Sequence, residues 1–127
     1  MRPASWCLMV PPLVLIVEDE LLLRLNAVSL LEEAGFGVLE AASADDAIAL
    51  LESRQDIRIV FTDINMPGSM DGLRLAHAIR NRWPPVELVL ASGRMGVRNE
   101  DMPARGLFLS KPYDPSELVE TVRSLAS

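Results

Sequence analysis

From Pro12 onward the chain alternates short apolar runs with amphipathic stretches of helical period, and that alternation constrains the fold more than any other feature. The runs at 13–17 (Leu-Val-Leu-Ile-Val), 37–41, 57–62 (Ile-Arg-Ile-Val-Phe-Thr), 86–91 (Val-Glu-Leu-Val-Leu-Ala) and 106–109 (Gly-Leu-Phe-Leu) read as strands. The first, third and fourth are nearly continuous in apolar residues, as strands covered on both faces must be.

Helices fill the gaps. Leu21, Leu25, Val28 and Leu31 form one apolar stripe, closed by Gly35 where a helix end favours a left-handed residue. Ser43 with Asp46 three residues later predicts a capped helix running to about Arg54. Asp71 opens a helix carrying Leu75, Ile79 and Trp83, and Pro84 and Pro85 stop it. Asp114, Pro115 and Glu117 start a last helix whose Leu118, Val122 and Leu125 face inward. The slot from 93 to 105 holds Gly96 and Pro103 and no sustained apolar period, so a fourth helix there is expected to be short or disordered.

Five strands with helices between them predict an α/β protein, a flavodoxin-like (βα)5 open sheet. Its five parallel strands take the order 2-1-3-4-5 with helices on both faces, given right-handed crossovers. Ligands in such sheets bind beyond the carboxyl ends of strands one and three, where the winding reverses.

Composition narrows the partners. The 127 residues carry 12 basic and 18 acidic side chains, a net charge of −6, with no basic cluster to attract a phosphate backbone. Direct nucleic-acid binding is therefore not expected. No apolar run approaches the roughly 20 residues that span a bilayer, so membrane insertion is not expected either. The single cysteine, Cys7, has no partner for an internal disulfide, which suits the cytoplasm. Residues 1–12 read as a loose N-terminal tail and 13–127 as one domain.

The carboxyl edge is strongly acidic. Glu18, Asp19 and Glu20 follow the first strand and Asp63 the third, with Asn65 just beyond; Ala91 and Ser92 close the fourth, and Ser110, Lys111 and Pro112 the fifth. Carboxylates gathered at one point raise one another's pKa unless a cation intervenes. Hard oxygen ligands of this kind suit Mg²⁺. A dication and the Lys111 ammonium beside Asp63 would balance the charge of an incoming phosphoryl group, with Asp63 as nucleophile. The Ser92 hydroxyl is placed to hydrogen-bond a phosphoryl oxygen, or else is a turn residue before Gly93. Phe108 reads as core, and His77, away from this edge, as a surface or boundary residue.

Glu18-Asp19, Asp63-Ile64-Asn65-Met66-Pro67 with Asp71-Gly72, Ser92-Gly93 and Lys111-Pro112-Tyr113, each at a strand end and in this order, resemble the receiver domain of bacterial two-component response regulators. The resemblance spans about residues 13 to 126. It implies that Asp63 is the phosphoacceptor and that Glu18 and Asp19 hold Mg²⁺, Asp19 more directly. It further implies that Asn65 gives its backbone carbonyl to the metal, Lys111 contacts the phosphoryl group, and Phe108 is the aromatic switch position. The partners it implies are a sensor histidine kinase or a histidine phosphotransfer protein, and a downstream protein target. With the last helix reaching the end of the chain, a single-domain regulator signalling through protein contacts or a phosphorelay is expected.

Two departures stand out. Aligning on Pro85-Val86 puts Ala91 at the place where relatives carry a hydroxyl, whereas aligning on Gly93 puts Ser92 there. The interrupted segment 93–105 replaces the helix that relatives use for output. Both departures leave room for a pseudo-receiver that binds partners without phosphorylation. A small Mg²⁺-dependent aspartyl phosphatase is the enzymatic rival; such enzymes place a second Asp two residues after the nucleophile, where this chain has Asn65.

Overall fold

The computed structural model describes residues 11–65, 71–93 and 101–126. Five strands, β1 (Leu13–Val17), β2 (Gly37–Ala41), β3 (Ile57–Asp63), β4 (Glu87–Ser92) and β5 (Gly106–Ser110), form one sheet in the order β2-β1-β3-β4-β5. Every pairing is parallel. The described helices are α1 (Leu21–Glu33), α2 (Ala44–Ser53), α3 (Gly72–Arg82) and α4 (Pro115–Ala126). Strand order and direction agree with the sequence reading. The strand ends differ by a residue: β3, β4 and β5 run on to Asp63, Ser92 and Ser110, so three edge residues are held in the ladder itself.

The caps form as their side-chain chemistry requires. Ser43 Oγ accepts from Asp46 N–H at 3.1 Å, and Asp71 Oδ1 accepts from Arg74 N–H at 2.8 Å. Gly35, with φ of 98°, follows α1 in the left-handed region, and its N–H donates to Glu32 O at 3.0 Å. Trp83 ends α3 before the two prolines, with the Arg82 guanidinium 4.3 Å above its ring.

Period-two alternation divides the core into two layers. Leu15, Val17, Val60, Leu88 and Leu90 point to one face and pack against Ala47 and Leu51 of α2 and Leu75 and Ile79 of α3. Val14, Ile16, Ile59, Phe61, Val89 and Ala91 point to the other and meet Ala27 and Leu31 of α1 and Leu118 and Val122 of α4. Side chains buried this fully contribute about 1.5–3 kcal/mol each for the larger aliphatics. The second parity runs on through Asp63, the last residue of β3, and to Glu18 and Lys111 one step past β1 and β5, so all three share one face of the sheet.

Two expectations need correction. Helix α1 does not bury the stripe from Leu21: its buried residues are Ala27 and Leu31, while Leu21, Leu22, Leu23 and Leu25 are 54%, 75%, 44% and 44% exposed. In the first turns of α1 the one side chain that turns in toward the sheet edge is Arg24, and the four leucines around it point away from the two core layers. Phe108 is not core either. It sits on the edge strand β5, on the face opposite Leu109, and is 40% exposed. The expected weak fourth helix falls mainly on 94–100, outside the described residues; at 101–105 the chain makes turns into β5.

Candidate functional site

Four strand ends converge on one pocket, lined among others by Glu18, Asp63, Ala91, Lys111 and Tyr113. Lys111 Nζ sits between the acids, donating to Asp63 Oδ2 at 3.0 Å and to Glu18 Oε1 at 3.3 Å. The acidic chains are nearly buried and the lysine is mostly so, with side-chain exposures of 11%, 9% and 23%. The second oxygen of each acid is also engaged: Asp63 Oδ1 accepts from Asn65 N–H and Glu18 Oε2 from Glu20 N–H, both at 3.1 Å.

Burial pushes the Glu18 carboxyl above its ordinary value, against the Glu20 hydrogen bond and the attraction of Lys111, which both lower it. Burial works to lower the Lys111 ammonium as well. There the hydrogen bond to Asp63 and the attraction of Asp63 and Glu18 prevail, and its pKa is raised. Tyr113 is pushed up by burial; its ring meets Phe61 edge-on, 5.8 Å between centroids at 77°. Lys111 precedes Pro112 through a cis peptide bond.

Ligand atoms of Glu18, Asp19 and Asp63 lie within 4.8 Å of one another. An all-oxygen set of this size, one member buried and one open to solvent, fits a hard dication that keeps several waters. Asn65, exposed at the end of β3, also donates from Nδ2 to Ser92 Oγ at 2.8 Å. Ala91 pairs with Asp63 in the ladder and its side chain lines the pocket; Ser92 is the next residue out, and its hydroxyl is bound to Asn65. Thus Glu18, Asp19, Asp63, Asn65, Ser92 and Lys111 come together, whereas Phe108 lies on the other face of β5. Glu20 is present through its N–H, its side chain being exposed. His77 is a surface residue whose Nε2–H donates to Asp101 O at 2.7 Å.

Three contributors have roles that the sequence reading did not give, although Gly72 and Tyr113 stand in its motifs. Arg24 Nη1 donates to Glu18 O at 2.8 Å while its Nε pairs with Glu40 Oε1 at 3.0 Å. Gly72 packs against the Asp63 carbonyl, and its N–H donates to Ile64 O at 2.9 Å. Tyr113 helps wall the pocket. For Arg24 a signal existed: a cation in the first turns of a helix opposes the dipole and calls for a local reason.

Fold and site together define a signalling domain of the two-component type. The chain matches the response regulator receiver domain family over residues 14–123 and belongs to it. It is 38% identical over 122 residues to the aerobic respiration control protein ArcA of Escherichia coli K12, covering 91% of this chain and 49% of that protein. It is 34% identical over 116 residues to the sensor kinase CckA of Brucella abortus, covering 88% of this chain and 12% of that protein. The chain thus spans half or less of these relatives. A crystal structure of a response regulator receiver protein from Sinorhizobium medicae superposes with a TM-score of 0.85 at 30% identity, covering 92% and 95% of the two chains. No helix among the described residues is long and apolar enough to cross a membrane.

Proposed function

We propose that the protein is a phosphoacceptor receiver that takes a phosphoryl group from a phosphohistidine onto Asp63. The observation that carries this is the Lys111 ammonium bridging Asp63 and Glu18 at the ends of three parallel strands. It holds a carboxylate oxygen at the mouth of the pocket and supplies positive charge where a phosphoryl oxygen would arrive. An Asp63 carboxylate oxygen attacks phosphorus as the histidine N–P bond breaks. The bonding pair stays on the imidazole nitrogen, which then takes a proton from solvent.

Glu18, Asp19 and Asp63 with the Asn65 carbonyl would hold Mg²⁺, which when bound neutralises charge on the phosphoryl oxygens. The Ser92 hydroxyl, released by Asn65, reports the new oxygens, and Phe108 on β5 is the position that repacks in response. The domain works in the cytoplasm, and output passes through protein contacts or a phosphorelay.

The donor is a sensor histidine kinase or a histidine phosphotransfer protein. Its docking face is the exposed leucine cluster of α1, which runs onto a groove of about 380 Å³ lined by Glu18, Leu23, Asn26, Lys111, Pro112 and Tyr113.

The test is incubation with acetyl phosphate and Mg²⁺, followed by intact mass. Addition of one phosphate to wild type and none to Asp63→Asn is expected. No addition with small or protein donors refutes the reading in favour of a pseudo-receiver, and turnover of many phosphoesters refutes it in favour of a phosphatase.

A further inference from the structure

We propose that Arg24 is the positioning residue of the acidic pair, fixing the Glu18–Asp19 peptide and through it the affinity of the site for a divalent cation. The proposal rests on the metal reading above. Arg24 is the fourth residue of α1, and its side chain is only 15% exposed. Burying a guanidinium there costs desolvation and opposes the helix dipole, so its contacts must compensate.

Those contacts are specific. The β1–β2 ladder ends at Val17 opposite Ala41, and Glu18 N–H still donates to Ala41 O at 3.1 Å. A continued parallel ladder would bring a β2 N–H to the Glu18 carbonyl. The chain has instead turned toward α2, which Ser43 caps. Arg24 Nη1 takes over as donor to that carbonyl at 2.8 Å. Glu40, opposite Ile16 on β2, accepts from Nε at 3.0 Å and so orients the planar fork.

The Glu18 carbonyl and the Asp19 N–H belong to one rigid peptide plane. Gripping its oxygen sets where the Asp19 side chain begins. The Glu18 carboxylate is held separately, by Glu20 N–H and Lys111, so Asp19 depends most on Arg24.

Charge and geometry predict opposite signs. If Arg24 acted only as a nearby positive charge, deleting it would tighten cation binding, because it repels the ion. If it positions the ligands, deletion loosens binding, and loss of a group that orients a metal ligand typically costs about 10- to 100-fold.

Mg²⁺ affinity is measured by titration calorimetry on the full chain for wild type, Arg24→Ala, Arg24→Lys and Asp19→Asn, with metal-free thermal melts alongside. Binding by wild type, at least about 10-fold weaker binding by Arg24→Ala, and several-fold weaker binding by Arg24→Lys, which keeps the charge but loses the fork, are expected. Unchanged or tighter binding by Arg24→Ala overturns the proposal, even where its melting temperature falls. Should Arg24→Ala not fold, Arg24→Lys decides by the same comparison. Absence of Mg²⁺ binding in wild type, or wild-type binding by Asp19→Asn, instead refutes the metal reading itself and takes this proposal with it.

Discussion

Gly72 offers the sharpest test of how the backbone holds Asp63. A Cβ built there runs into the Asp63 carbonyl oxygen and lies 2.7 Å from Asp63 C and 2.9 Å from Ile64 Cα. Carbon pairs sit comfortably at about 3.5–4.0 Å, so α3 or the end of β3 must shift by roughly 1 Å to admit a methyl group. Overpacking of this kind costs about 1–3 kcal/mol. Stretching the Gly72 N–H to Ile64 O bond adds about 0.5–1.5 kcal/mol. Against this, alanine gains up to about 1 kcal/mol of helix propensity over glycine. The clash wins, and Gly72→Ala should destabilise by about 1–3 kcal/mol, a fall of about 4–12 °C in Tm for a domain of this size. Moving the Asp63 main chain also carries its carboxylate away from Lys111, and a misplacement near 1 Å can cost on the order of 100-fold in rate. Thermal and urea melts give the first quantity, and acetyl phosphate labelling followed by intact mass gives the second. An alanine variant that melts at or above wild type and labels at the wild-type rate would falsify the claim that this glycine is required by close approach.

Other consequences are as direct. The raised Glu18 pKa makes the folded protein bind this proton more tightly than the unfolded chain, so the associated stability is full below the ordinary value of 4.5 and is lost as pH rises through the folded value. Metal-free stability of Glu18→Gln, measured by urea melts from pH 4 to 8, should therefore decline less with pH than wild type; an identical slope refutes the assignment. Lys111→Met keeps the aliphatic stem and removes the counter-charge between two nearly buried carboxylates. The metal-free protein should lose about 1–3 kcal/mol, and Mg²⁺ should raise the Tm of this variant more than that of wild type. An equal or smaller rise shows that Lys111 and the cation do not share the same acids. Ser43→Ala removes the acceptor for Asp46 N–H and should cost about 1 kcal/mol in chemical melts while leaving phosphate labelling unchanged.

What the sequence made legible followed from period and from strand ends. Short continuous apolar runs alternating with amphipathic stretches fit strands covered on both faces, so the order of elements, the parallel sheet and the acidic edge were all readable. Lys111 was readable because its strand ends on that edge. The roles of Arg24 and of Gly72, itself a motif residue, were not, because they lie in backbone carbonyls at Glu18 and Asp63 that no residue-type pattern encodes. Helix α1 misled for a different reason. It carries leucine at 21, 22, 23, 25, 30 and 31, so apolar residues occur on every side of its first turns and a stripe can be drawn through several faces. Only the sheet decides which face is covered, and it covers Ala27 and Leu31. Four leucines stay exposed, and one of them, Leu23, lines the groove beside Lys111 and Tyr113 that is proposed to receive a protein phosphodonor. Leu22, 75% exposed, makes the test. Leu22→Lys should change stability by less than about 0.5 kcal/mol, since it removes no buried contact. It should slow transfer from a phosphorylated protein donor by about 10-fold or more, a hot-spot loss of at least 1.4 kcal/mol, while acetyl phosphate, which needs no docking face, labels it within about two-fold of wild type. Equal slowing with both donors would place the defect in the pocket rather than on the helix, and no slowing with either would leave the exposed leucines without a role in phosphotransfer.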